Sequence, residues 1–342
     1  SREDFQFQIE GVIQQVADTY WNLVEAREQL TVAQESLSLA QDLHKMNKIQ
    51  VEVGTMAPLE TVQSEAGVAI REEDIIRRHA AVEDSADALR RLVNLDRREL
   101  WDIGILPVTA PEIAHYPIDV AEAIDVALEN RPDVRRQRLL IKNRELDAKV
   151  AQNQKKPSLE LRAAYGLNAV DGNLSDPVTG ELIEAGGYSD ALQQILDIDF
   201  DGWSLGLTFA YPLQNRVAKA RSIRADLALA QIDVELRDLE QQVVAEVRRT
   251  ARGVETAAKQ IESAKVSSRL ARENLNAEQK RYENGLSTSF QVLEIQEDLS
   301  LARSREVSAV ITYRRALTGY RRSVGRLLEA HGVELDDDGA EE

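Results

Sequence analysis

No cysteine occurs among the 342 residues, which excludes disulfides and thiolate metal sites. Aromatic residues make up only 5% of the chain, too few for the packed cores of two ordinary compact domains. No run of about 18 uncharged apolar residues exists, so no transmembrane helix is expected. No leader-like segment opens the chain, which starts at Ser1 already polar and soon helical. Basic residues are outnumbered 42 to 59, a net charge of -17, which argues against a nucleic-acid partner because a phosphate backbone needs a basic face.

What is present is long helix. Charged residues reach 30%, and Ala, Glu, Arg, Leu and Gln fill long stretches without Gly or Pro, the profile of coiled coil. Apolar residues recur at three- and four-residue steps from about Gln6 to Gln50. A second helix is expected from Pro58, well placed in a first turn, to about Leu95. After a Pro-punctuated connector, short helices are expected over Asp119–Glu129 and from Asn130-Arg131-Pro132-Asp133 to about Asn153.

The chain also repeats itself. Val53-Gly54-Thr55-Met56-Ala57-Pro58-Leu59-Glu60 interrupts one long helical pattern, and Asn284-Gly285-Leu286-Ser287-Thr288-Ser289-Phe290-Gln291 interrupts another. Aligned on Gly54 and Gly285, Leu59 matches Phe290 and Val62 matches Leu293. Such self-similarity marks a duplicated unit: helix, Gly-initiated turn, helix. The helix before the second turn is expected to run about 68 residues to Glu283, roughly 100 Å at 1.5 Å per residue. Its seam is Leu229, Ile232, Leu236, Leu239, Val243, Val247, Thr250, Val254, Ala257, Ile261 and Ala264, a heptad pattern with one stutter near Val243. The last helix is expected from Phe290 to Leu328.

Between the two helical parts the period changes to two. Leu159, Leu161, Ala163, Tyr165 and Leu167 alternate with small or polar residues, as do Trp203, Leu205, Leu207, Phe209 and Tyr211. Each run has the length and one-sided apolarity of a lipid-facing barrel strand. A loop over about 169–200, Gly- and Asp-containing, is expected to join them externally. Two strands alone do not make a stable sheet, so their partners must come from other chains or further sequence.

Catalytic motifs are weak. Gly202-Trp203-Ser204-Leu205-Gly206 fits the nucleophile-elbow pattern, but Ser204 lies mid-strand and the only later histidine is His331. Asp197-Ile198-Asp199-Phe200-Asp201-Gly202 imitates a calcium loop, yet its twelfth position is Thr208 where a Glu belongs. His44, His79, His115 and His331 lack ligand spacing, and no Gly-rich phosphate loop follows a strand. No enzyme, metal site or cofactor is expected.

In order, the chain offers a helical hairpin, Asn130-Arg131-Pro132-Asp133-Val134, a strand opening Lys156-Pro157-Ser158-Leu159, a strand closing Tyr211-Pro212-Leu213, and a hairpin ending Gly325-Arg326-Leu327-Leu328. This order resembles the TolC-like outer membrane efflux proteins over nearly the whole chain. The resemblance implies a mainly α fold of very long antiparallel coiled-coil hairpins, with a β-hairpin contributing to a transmembrane β-barrel. It divides the chain into a first hairpin of a periplasmic α-barrel (1–100), a connector with equatorial helices (101–156), a strand pair with external loop (157–213), a second hairpin (214–330) and an acidic, disordered tail (331–342). It further implies a homotrimer in the outer membrane of a Gram-negative bacterium, partnered by a periplasmic adaptor and an inner-membrane transporter, that conducts rather than catalyses. The alternative is a periplasmic adaptor-like or scaffold coiled coil without a pore, which leaves the aromatic strand face unexplained.

The resemblance assigns roles to residues. The turns Val53-Gly54-Thr55 and Asn284-Gly285-Leu286 match the adaptor-contact positions, with Asn284 where the family commonly has Val. Gln291 and Glu294 stand where the family narrows its periplasmic gate with acidic residues, so Glu294 is expected to supply a ring of three carboxylates. Glu60 and Tyr282 match a latch between the coiled coils, with Ser287 in place of its Arg. Leu159, Leu161, Tyr165, Trp203, Leu205, Leu207, Phe209 and Tyr211 are expected to face lipid. Pro212 lies 73 residues before Gly285, and the same distance before Gly54 falls about 20 residues upstream of Ser1. The first repeat's strand pair is therefore expected to lie in a longer parent chain.

Overall fold

A computed structural model describes residues 2–94, 101, 103–109, 116–184, 186–198 and 200–335. The described helices are α1 (Arg2–Glu52), α2 (Pro58–Leu92), α3 (Val120–Asn130), α4 (Pro132–Asn153), α5 (Tyr188–Asp197), α6 (Arg216–Glu283), α7 (Ser289–Ser323) and α8 (Leu327–Ala330). The strands are β1 (Ser158–Leu167), β2 (Leu174–Ser175), β3 (Leu182–Glu184) and β4 (Asp201–Ala210). None of the described helices is long and apolar enough to cross a membrane. The tail from Asp336 to Glu342 and much of the connector, His115 included, lie outside the described residues. Two compact units emerge, Ser1–Leu139 with Val234–Glu342, and Leu140–Asp233.

In the first unit α1 and α2 form one antiparallel hairpin. Leu23 of α1 packs with Val82, Ala86 and Leu89 of α2, flanked by Tyr20, Leu30 and Ile105. α6 and α7 form the other, where Val243, Val247, Val254, Ala257 and Ile261 meet Tyr313, Leu317 and Tyr320. Every seam position expected in α6 is buried or half-buried, because a heptad pattern keeps one stripe of a helix against its neighbour. α3 covers this core with Ala123 and Ala127. Its N-cap is Asp119, whose carboxylate accepts from the amides of Ala121 (2.8 Å) and Glu122 (3.1 Å).

The junction of α3 and α4 is a half-buried ionic knot. Pro132 forces Arg131 out of helical geometry. The Arg131 guanidinium grips Asp133 with two bonds (3.0 and 2.7 Å) and reaches Glu246 (2.7 Å) and the Ser323 carbonyl (3.2 Å). That charge holds the Asp133 carboxyl below its ordinary range against the opposing effect of burial.

One boundary differs from expectation. The last long helix stops at Ser323, and α8 is a separate short turn. Gly325 adopts φ +75, its amide bonds to the Arg322 carbonyl, and Arg326 bonds to the Arg321 carbonyl. This is a Schellman stop, and an added Cβ at Gly325 would lie 3.3 Å from the Arg131 nitrogen.

The second unit holds the strands. β1 and β4 pair antiparallel over ten residues each, Ser158 opposite Ala210 through Leu167 opposite Asp201. Partners across a strand pair point to the same face. Leu159 with Phe209, Leu161 with Leu207, Ala163 with Leu205 and Tyr165 with Trp203 thus form one apolar face. The other carries Glu160 with Thr208, Arg162 with Gly206, Ala164 with Ser204 and Gly166 with Gly202. The loop expected over 169–200 is not plain loop: it contains the small β2–β3 pair and the ten-residue helix α5. α5 follows Gly186-Gly187, and Tyr188, Leu192, Ile195 and Leu196 fall at helical spacing, a pattern hidden by the surrounding turn residues.

Candidate functional site at the hairpin tips

Both hairpins turn by the same device. Gly54 (φ +79) bonds to the Val51 carbonyl and Thr55 to the Gln50 carbonyl. Gly285 (φ +73) bonds to the Tyr282 carbonyl and Leu286 to the Arg281 carbonyl. Each is a Schellman motif, which requires the left-handed backbone that glycine adopts without steric cost. The next helix starts on Pro58 in one copy and on Thr288 in the other, whose hydroxyl accepts from the Gln291 amide at 3.3 Å. Val53, Gly54, Thr55, Asn284, Gly285 and Leu286 are all exposed, as are Leu59 and Phe290 on the following helices. Asn284 donates its side-chain amide to the Lys280 carbonyl at 2.6 Å, adding a local clamp.

Behind the turns the hairpins are joined. Leu43, Leu275, Tyr282, Val292 and Leu299 share a small core with Met56 and Leu39 at its margin. The Tyr282 hydroxyl donates to Asn47 Oδ1, and Asn47 Nδ2 donates to the Glu60 carbonyl at 3.3 Å. The Glu60 carboxylate accepts from the buried Ser289 hydroxyl. Glu60 and Tyr282 therefore belong to one network but do not bond to each other; Asn47 bridges them. Desolvation, with the nearby Glu60 charge second, pushes the Tyr282 phenol up to about 12.

Ser287, standing in the latch position of the expected Arg, donates to the buried Glu278 carboxylate. Glu278 is also paired with Arg281 at 3.0 Å, so the charge is balanced within α6 itself. Glu294 is exposed on α7 and makes no ion pair among the described residues. Gln291, one turn earlier, is exposed too, and its Oε1 lies 3.1 Å from the Ser287 hydroxyl.

Sequence reasoning missed Asn47, Ser289, Glu278 and Arg71. Arg71 is buried on α2 and donates to the Ser36 hydroxyl (3.0 Å), the Gly67 carbonyl (3.1 Å) and the Leu293 carbonyl (3.3 Å). Among the described residues no cluster of His, Cys, Asp or Glu is arranged to hold a metal ion.

In the strand unit the expected lipid-facing set shares the apolar face defined by the register, with Tyr211 just beyond the end of β4. These side chains are exposed among the described residues, Trp203 to 77%.

A family model described as outer membrane efflux protein matches residues 123–326. Among solved structures, the Campylobacter jejuni CmeC outer membrane channel aligns with a TM-score of 0.73 at 18% identity, covering 95% of this chain and 64% of its own. The Vibrio cholerae outer membrane protein VceC aligns with a TM-score of 0.74 at 16% identity, covering 95% of this chain and 72% of its own. The open-state MtrE outer membrane channel of Neisseria gonorrhoeae gives 0.65 at 18%, covering 95% and 71%. At such identities these likenesses speak for the fold, that of helical-barrel channels with a β-barrel part, and the chain spans just under two thirds of the CmeC channel's length. No curated protein matches the sequence significantly. With the family model covering more than half the chain, on a fold shared with three outer membrane proteins of this kind, the chain belongs to the outer membrane efflux protein family.

Proposed function

We propose that this chain is part of one protomer of a homotrimeric export duct, which takes substrate from an inner-membrane transporter and periplasmic adaptor and passes it to the exterior. The observation that carries this reading is that one chain holds two like-built hairpins and a strand ribbon whose apolar face is exposed. Residues 1–100 and 214–330 serve as the hairpins of the periplasmic tunnel, 101–156 as its connector, and 157–213 as the share of the barrel wall in contact with outer membrane lipid. The exposed turns at Val53-Gly54-Thr55 and Asn284-Gly285-Leu286 meet the adaptor. Glu294, with Gln291 beside it, forms the constriction. Glu60 and Tyr282 act in the latch through Asn47 and Ser289. The protein conducts and catalyses nothing.

Single-channel conductance of the full-length protein in planar bilayers tests the reading, with wild type compared to Glu294→Ala. A small, cation-selective conductance is expected, which increases or loses selectivity in the variant. Absence of conductance from a folded trimer extracted from membranes would refute the duct and favour a scaffold.

A further inference from the structure

Arg71 is a buried cation with an unusual set of partners. Its guanidinium touches three helices at once: Ser36 on α1 through Nε, the Gly67 carbonyl on its own α2 through Nη1, and the Leu293 carbonyl on α7 through Nη2. Among the described residues the only carboxylate in reach is that of Glu297, at 3.9 Å and largely exposed. Burial costs the charged form more than that contact returns, so the Arg71 pKa is lowered. A surface Lys or Arg satisfied by solvent would carry no such constraint. Here a planar, five-donor group is spent on backbone and hydroxyl oxygens, which fixes direction as well as distance.

The α7 bond goes to one particular peptide. The Leu293 carbonyl belongs to the peptide unit that joins Leu293 to Glu294, and Glu297 lies one turn further along the same helix. Gly67 acts on that segment from the same side. A Cβ on Gly67 would lie 2.8 Å from Leu293 Cδ2 and 3.2 Å from Cδ1, so the missing side chain lets Leu293 seat against α2. Gln296 adds a parallel bond from Nε2 to the Leu39 carbonyl on α1 at 3.1 Å.

We propose that Arg71 is a positioning residue for the constriction: seated on Gly67 and Ser36, its guanidinium pins the Leu293–Glu297 stretch of α7 to the first hairpin and thereby fixes where Glu294 stands. The role assigned to Glu294 rests on the duct reading above; the pinning of α7 stands apart from it. Arg71 needs no contact with the transported substrate. It acts through the backbone of its neighbour.

Two readouts on the full-length channel test this. The first is amide hydrogen exchange across residues 290–297 in Arg71→Met, which is expected to speed up about tenfold while the α6–α7 core around Val247 and Leu317 keeps its protection. Arg71→Lys, which keeps the charge without the fork, should fall between. Unchanged exchange in that stretch would overturn the proposal. The second is cation-over-anion selectivity in planar bilayers. Arg71→Met should lower it to the level of Glu294→Gln, and the double variant should go no lower, as expected of residues acting through one another. Faster exchange with wild-type selectivity, where Glu294→Gln does lower selectivity, would reduce Arg71 to a stabilising contact and also overturn the proposal. A silent Glu294→Gln would refute the constriction reading instead, leaving exchange to decide the pinning. If Arg71→Met fails to assemble, Gly67→Ala displaces Leu293 without removing charge and should raise the same amides' exchange; protection at the wild-type level would again refute the pin.

Discussion

Tyr282 shows how much a single side chain does at the tip. It sits one residue inside the end of α6, yet its hydroxyl bonds to Asn47 on α1, 235 positions away in sequence. Tyr282→Phe keeps the ring and removes the donor, which leaves Asn47 Oδ1 buried without its partner. A loss of about 1–3 kcal/mol in denaturant unfolding is expected. The phenol also sets a pH window. Its pKa is about 12 in the fold against 10.0 ordinarily, so the folded state holds the proton more tightly. Stability from this group is then fully present below pH 10 and is lost as pH rises from 10 to about 12. Ultraviolet difference titration should show this tyrosine ionising last, and a phenol that titrates with the exposed ones would contradict the buried placement.

At the scale of elements, three helices stop by one motif at Gly54, Gly285 and Gly325. Their surroundings differ, and that separates two costs. No atom lies within 4 Å of a Cβ placed on Gly54 or Gly285, so Gly→Ala there meets only the left-handed backbone, a loss of about 1–2 kcal/mol. Gly325→Ala meets the same strain and in addition presses on the Asn130–Arg131 backbone. Its loss, measured by the same denaturant titration, should be the largest of the three. These stops were legible in part. Gly54 and Gly285 announce themselves because each interrupts a long apolar period and is followed by Pro or Thr. Gly325 passed as helix interior because the apolar spacing resumes at Leu327 and Leu328. α5 was hidden for the opposite reason, four well-spaced apolar residues lying among glycines and aspartates. The helical seam and the strand alternation are local patterns and could be read directly. The Tyr282–Asn47–Glu60–Ser289 network and the Arg71 pin join residues more than 200 positions apart, and no local period encodes such a meeting.

For the molecule as a whole, the strand ribbon makes the sharpest demand. Its apolar face is exposed among the described residues, and on the reading proposed above that face meets lipid. Leu205, opposite Ala163 near the ribbon's middle, and Ser204 are neighbours in sequence on opposite faces. Leu205→Arg should cost about 2–4 kcal/mol of insertion free energy if it meets hydrocarbon. Ser204→Arg should be tolerated. The fraction of full-length protein recovered in outer membranes measures both, and equal recovery would refute the facing.

The same ribbon bears on bore. Toward the loop end, the face opposite the apolar one carries only small side chains: Gly166 opposite Gly202, and Ala164 opposite Ser204. Only Glu160 and Arg162 are long, and they are tied to each other at 2.8 Å rather than reaching across. If that face lines the passage, the wall is nearly bare backbone where substrate leaves. The exit is then as wide as strand number and tilt permit, and any sieving must happen elsewhere along the path.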